Sequence, residues 1–223
     1  SPKERDNPVK LDTLTIDIGA SSKAEAEKYV SPGDCAYFKS NYTELGNGYL
    51  REKALDDRIG CAIMIDILNK DLPYDVTCVF TVQEEIGTRG AKVAAYTVKP
   101  DYAIVLETTT ACDFSGNDGE KRVCELGKGC VVSYMDRGTI YDRELYHLGF
   151  EKAKEIGVPC QTKTLVAGGN DSGAIHTSVG GIRTVALSVP CRYLHSPSCM
   201  IKKSDVQSTA TLAYAMYLAL AEK

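Results

Sequence analysis

The sequence predicts an α/β fold built on a mixed, largely parallel sheet, and three observations carry that expectation. From about residue 53 to the C-terminus, strand-like and helix-like segments alternate, which is the rhythm of helices layered on a sheet. Two segments, 77–82 and 184–189, are continuous apolar runs of the kind that form strands buried on both faces. The 223 residues are 43% hydrophobic and 25% charged, enough for one large core or a domain and a half, and a net charge of −4 is too small for a disordered chain.

The same composition narrows the partners. No run approaches the roughly 18 apolar residues of a membrane span, so no membrane partner is expected. Thirty acidic against 26 basic residues, without a basic stripe, argue against nucleic acid. Nine cysteines, an odd number without a Cys-x-x-Cys, read as free thiols in a reducing, cytoplasmic compartment.

Taken in order, residues 1–12 are polar, with Pro2 and Pro8, and read as an entering loop. Residues 14–18 alternate apolar and polar, a half-buried strand closed by Gly19. Ser21 and Ser22 cap a short helix to about Tyr29, and strands are expected at 35–39 and 49–53. Residues 1–50 thus read as the remainder of a small β-rich domain, and 51–223 as a larger α/β domain. Helices follow at 57–69, with Ile59, Ile63 and Ile67 on one face, at 89–96 and at 141–156, the last ended by Gly157 and Pro159. Strands are expected at 77–82, 102–106, 130–134, 161–166 and 184–189, with a short helix after Asn170. The final helix opens on a capping box, Ser204-Asp-Val-Gln207.

In open α/β sheets, chemistry gathers at the carboxyl ends of strands. Four such ends carry metal-competent side chains: Asp56-Asp57, Glu84-Glu85, Glu107 and His195. Carboxylate oxygens with an imidazole suit Zn²⁺, Mn²⁺ or Co²⁺ and leave positions open for water. Each has a plainer reading too. An Asp pair before a helix can be an N-cap, adjacent glutamates can be a solvated loop, and a His beside Pro can be a surface residue. Glu107, closing a buried strand, needs a partner. His147 and His176 read as structural.

Four segments together resemble the M42 family of metallo-aminopeptidases, which includes glutamyl and TET aminopeptidases and proteins labelled endoglucanases: Lys53-Ala-Leu-Asp-Asp-Arg-Ile-Gly60, Phe80-Thr-Val-Gln-Glu-Glu-Ile-Gly-Thr-Arg-Gly-Ala91, Val166-Ala-Gly-Gly-Asn-Asp-Ser-Gly173 and Arg192-Tyr-Leu-His-Ser-Pro197. The resemblance implies a three-layer, zinc-exopeptidase-like fold with a small dimerisation or PDZ-like domain. It implies that Asp56 bridges two divalent ions, Zn²⁺ or Co²⁺, that Glu85, Glu107 and His195 are ligands, and that Glu84 is the general base. Asp57 braces the site in that pattern and is not a ligand. Gly169, Asn170 and Asp171 match a substrate-site segment that usually reads Gly-Gly-Thr-Asp, and Glu107 stands where Asp is common. Peptide substrates, an exopeptidase action, homo-oligomers from dimer to dodecamer and a preference for acidic N-terminal residues follow from the same resemblance. Arg58, Arg89, Lys128 and Arg192 are candidates for the basic group such a preference needs, although the three arginines read equally as structural ion pairs.

The family also supplies a His-x-Asp motif upstream of the small domain. None of the three histidines here is followed by x-Asp, so that motif is missing from this sequence. The expectation is an N-terminally truncated chain holding one ion or none, with little peptidase activity, or an assembly subunit that has lost half its site. A glycoside hydrolase is disfavoured: Trp is absent, and Glu84-Glu85 do not form an opposed pair across a sugar.

Overall fold

The computed structural model describes residues 10–223, so most of the entering loop expected at 1–12 lies outside the described residues. The chain divides into two compact units, Ser1–Phe38 and Lys39–Lys223.

In the first unit, Ser22 caps α1 (Lys23–Ala26) by accepting from the Glu25 N–H at 3.2 Å, and Glu25 reaches back to the Ser21 N–H at 2.8 Å. This reciprocal pair satisfies two amides that the helix cannot. The strands expected at 14–18 and 35–39 are not formed. Leu14, Ile16 and Ile18 are exposed, because an alternating pattern becomes a strand only where a neighbour completes its ladder, and no described strand of this unit does so.

In chain order the second unit forms β1 (Thr43–Leu45), β2 (Tyr49–Glu52), α2 (Leu55–Leu68), α3 (Arg89–Val98), β3 (Tyr102–Thr110), β4 (Cys130–Val132), α4 (Arg143–Glu155), β5 (Cys160–Thr162), α5 (Ser172–Ile175), β6 (Arg183–Cys191), β7 (Cys199–Lys202) and α6 (Lys203–Ala221). A small antiparallel sheet runs β1-β2-β7, with Tyr49 opposite Lys202 and Glu52 opposite Cys199. The β1–β2 turn needs positive φ at Asn47 and Gly48, residues that adopt it at low cost. Since β7 comes from near the C-terminus, this sheet joins residues 43–52 to the second unit.

The main sheet is open and mixed, in the order β3-β6-β4-β5: β3 is parallel to β6, β4 parallel to β5, and β4 antiparallel to β6. Central β6 is buried from Thr184 to Cys191. Its Val185, Leu187 and Val189 face α2, α4 and α6, where they join Ile63, Leu145, Leu212 and Met216. Ala186, on the opposite face, meets Val105, Tyr141 and Ile175 of α5, against which α3 packs. Helices therefore cover both faces, giving three layers. Full burial of a leucine such as Leu145 or Leu187 contributes about 2 kcal/mol of transfer free energy.

Two local expectations fail. Residues 77–82 are not a strand, and Val79, Phe80 and Val82 remain exposed, because no described strand lies alongside to accept a ladder. The capping box at Ser204 is not made: α6 starts at Lys203, directly off β7, which places Ser204 inside the first turn. Asp205, fully buried, instead accepts from the Gly127 and Gly129 N–H groups at 2.7 and 2.9 Å.

Candidate metal centre

The carboxylates arrive from two irregular stretches of backbone and one regular strand. Asp56 and Asp57 open α2 in non-helical conformations, preceded by Ala54 at φ +56°, and the peptide between them is cis. Asp57 does cap the regular part of α2, its Oδ1 accepting from the Gly60 N–H at 2.9 Å, whereas the Asp56 carboxylate turns to His195. Glu84 and Glu85 follow Gln83 at φ +60°, where the chain turns toward α3, with the Gly87 and Thr88 N–H groups both donating to Glu84 O at 2.9 Å. The turn supplies what adjacent strand residues lack, a way for neighbours to leave opposite faces. Glu107 lies within β3, eight percent exposed, opposite Ser188 of β6.

His195 comes from the hairpin joining β6 to β7. Arg192 and Met200 exchange backbone hydrogen bonds at 2.9 and 3.0 Å, and within the turn Tyr193 and His195 take φ near +60°. The imidazole Nε2 lies 3.1 Å from Asp56 Oδ2 and 3.2 Å from Glu85 Oε2.

Two groups of donors result. Asp56, Glu85 and His195 bring ligand atoms within 4.8 Å of one another, and so do Asp56, Asp57 and Glu107. Asp56 belongs to both. The sequence pattern set Asp57 apart as a brace; the structure places its carboxylate in the second group, where it also accepts from the Gly60 N–H at 2.9 Å. The signal available in the sequence was the small residue three positions on, since a Cβ at Gly60 would collide with that carboxylate.

Electrostatically the cluster is short of cations. Burial, then the charges of Asp56, Glu84 and Asp171, push Asp57 up to about 8. Burial, then Asp171, Glu85 and Asp56, push Glu84 up to about 7. Burial, then Asp57, Asp56, Glu84 and Asp171, push Glu107 up to about 10. An acid-rich donor set of oxygens plus one imidazole, strained by its own charge, fits a hard to borderline divalent cation.

The glycine loop borders this cluster. Asp171 Oδ2 accepts from Thr81 Oγ1 at 2.6 Å, while buried Oδ1 has no hydrogen-bond partner. Asn170 hydrogen-bonds Tyr141, whose hydroxyl donates to Asp136 at 2.6 Å, so Asn170 is held by the protein. Gly168 O accepts from the Arg137 N–H, and Gly169 approaches Gly138. Arg192 turns to Asp113, in a forked ion pair at 2.6 and 3.0 Å. Thr81 and Asp113 had no distinguishing pattern in the sequence. His147 packs against Tyr146, and His176 Nδ1 lies 2.7 Å from Ser172 O, both outside the cluster.

A family model described as M42 glutamyl aminopeptidase matches residues 1–212. The chain belongs to the M42 family. A putative aminopeptidase from Acetivibrio thermocellus is 39% identical over 208 residues, covering 92% of this chain and 62% of the relative. The solved structure of aminopeptidase APDkam598 from Desulfurococcus kamchatkensis superposes with a TM-score of 0.92 at 31% identity, covering 100% of this chain and 66% of that one. The TET1 peptidase of Pyrococcus horikoshii, described as assembling into a tetrahedron or a large octahedral shell, gives a TM-score of 0.78 at 32% identity, over 95% of this chain and 66% of that one. The chain thus spans about 60% of the M42 relative's length. No described helix is long and apolar enough to cross a membrane.

Proposed function

We propose that this chain carries metal-binding and acid–base residues of an M42 aminopeptidase that removes N-terminal residues from peptides. The observation that supports it most is the sharing of Asp56 between two donor groups, an arrangement suited to two neighbouring divalent ions, Zn²⁺ or Co²⁺. Glu85 and His195 would hold one ion with Asp56, and Glu107 the other, with Asp57 beside it. Such ions, when bound, lower the pKa of water and polarise a carbonyl. Glu84 belongs to neither group and is half-buried at the edge of the cluster, where it can accept a proton from water and deliver it to the leaving amine. Gly169, Asn170 and Asp171 border the space a peptide N-terminus would occupy, and acidic first residues are the substrates the family's description suggests. Arg192 is engaged with Asp113, which leaves its guanidinium less able to select an acidic side chain. Residues 1–50 are read as the trailing part of a small domain. Cytoplasmic placement agrees with nine free cysteines, and assembly into homo-oligomers agrees with the shells formed by the Pyrococcus horikoshii peptidase.

Metal content after equilibrium dialysis against Zn²⁺ tests this reading. Asp56→Asn, which removes a member of both groups, is expected to lose most bound metal, while Glu84→Gln keeps its metal and loses the small residual hydrolysis of aminoacyl p-nitroanilides expected of this chain. Metal content near zero in the unaltered chain, unchanged by Asp56→Asn, would favour a non-catalytic assembly subunit.

A further inference from the structure

The Asp113–Arg192 fork lies beside the site without belonging to either donor group. β3 and β6 are parallel neighbours that carry, within or just beyond them, Glu107 and His195. Their ladder ends with Thr110 opposite Cys191, extended one step by the Ala111 N–H to Cys191 O bond at 2.9 Å. Immediately past that end the two chains are joined by side chains. Arg192 Nε meets Asp113 Oδ1 at 2.6 Å and Nη2 meets Oδ2 at 3.0 Å, with Oδ2 also accepting from the Leu126 N–H at 3.0 Å. The Asp113 side chain is 5% exposed, so this is a largely desolvated pair.

Three residues after Arg192 comes His195, in a turn whose Tyr193 and His195 backbones both occupy the left-handed region. Non-glycine residues stay there only when surrounding contacts hold them. The Cys199 Sγ lies 3.6 Å from Tyr193 O and 3.5 Å from Ser196 O, so its single S–H is shared weakly between two carbonyls of the turn. A buried ion pair contributes little net stability once its desolvation is counted, but a bidentate fork fixes orientation. We propose that the Asp113–Arg192 fork is a positioning device: it anchors the base of the β6–β7 turn to the end of β3 and so sets where the His195 imidazole meets Asp56 and Glu85.

The inference rests on the proposed role of His195 as a ligand, and the test separates the two. Zn²⁺ affinity by calorimetry and the visible spectrum of the Co²⁺-loaded chain would be compared among Arg192→Met, Arg192→Lys, Asp113→Asn, His195→Ala and Arg183→Met. The last breaks a second fork, Arg183 on Asp142 at 2.6 and 3.0 Å, at the opposite end of the same strand. Arg192→Met and Asp113→Asn should weaken Zn²⁺ by about ten- to a hundredfold and alter the Co²⁺ spectrum. Arg192→Lys should regain part of both, and Arg183→Met should lower the melting temperature with affinity intact. Unchanged affinity in Arg192→Met, an equal loss in Arg183→Met, or failure of both Arg192→Met and Asp113→Asn to fold overturns the positioning role. Unchanged affinity in His195→Ala overturns the ligand assignment on which it stands.

Discussion

Replacing Glu107 by Gln should stabilise the metal-free protein, the opposite of what removing a buried charged group usually does. Glu107 is eight percent exposed, so water screens it little, and its carboxyl is pushed from 4.5 to about 10 by burial first and then by Asp57, Asp56, Glu84 and Asp171. In the unfolded chain the carboxyl keeps its ordinary value. Between the two values the native state therefore binds the extra proton, and stability falls as pH rises through that window. Each pH unit costs about 1.4 kcal/mol, so near pH 7 the metal-free fold carries a deficit of about 3 kcal/mol. Gln is isosteric and never ionises, so it escapes this cost. Urea unfolding of chelator-treated protein at about pH 5 and about pH 7 measures it: the variant should match the parent at the lower pH and exceed it by about 2–3 kcal/mol at the higher. Zn²⁺ should reverse the order, because the parent gains more from binding than the variant can. A metal-free Glu107→Gln protein no more stable than the parent near pH 7 would refute the electrostatic account of the cluster.

Gly60→Ala places a Cβ against the Asp57 carboxylate and is expected to lower Zn²⁺ affinity by about tenfold with the fold retained, read by calorimetry and far-ultraviolet circular dichroism. Asp205→Ala strands the Gly127 and Gly129 N–H groups and should cost about 3 kcal/mol or more in denaturant unfolding, whereas Asp205→Asn, which keeps one acceptor, should cost about half as much. At the amino end of β6, the hydrogen bonds from Arg183 hold Asp142 below the usual carboxylate range, against burial. Its folded value is depressed, so its contribution is complete above about pH 4 and lost as pH falls through the folded value. Unfolding monitored across that acid range should show a steeper loss in the parent than in Arg183→Met, by about 1 kcal/mol for this partly exposed pair.

How much was legible follows from which forces are local. Helices α2, α4 and α6 announce themselves by apolar periodicity, and strands β3 and β6 by runs long enough to be buried whole. Residues 14–18 and 77–82 carry equally good strand patterns yet stay irregular, because pairing is a property of the neighbour as much as of the segment. The short strands β1 and β7 escaped notice for the converse reason. Three or four residues hold little pattern, and it is the ladder through Tyr49 and Lys202 that makes them strands. At the site, residue type and place after an expected strand were enough to nominate Asp56, Glu84, Glu85, Glu107 and His195, although 77–82 is no strand and Glu107 lies within β3. The grouping of Asp57 with Glu107, the Thr81–Asp171 bond and the Asp113–Arg192 fork depend on side-chain directions across distant segments, about which spacing in the chain is silent.

Asp56 has a thermodynamic consequence beyond its place in two donor groups. A carboxylate common to both makes them linked in the sense of binding equilibria: a cation drawn to one group takes electron density and geometry from the other. The first ion also cancels much of the repulsion that favours any cation at all. A second ion would meet a less negative pocket with one ligand already engaged, so a metal titration should show at most one tight step, any further step being much weaker. Raising the ionic strength should narrow the gap between those steps, since screening weakens the charge effects that separate them while leaving direct ligation in place.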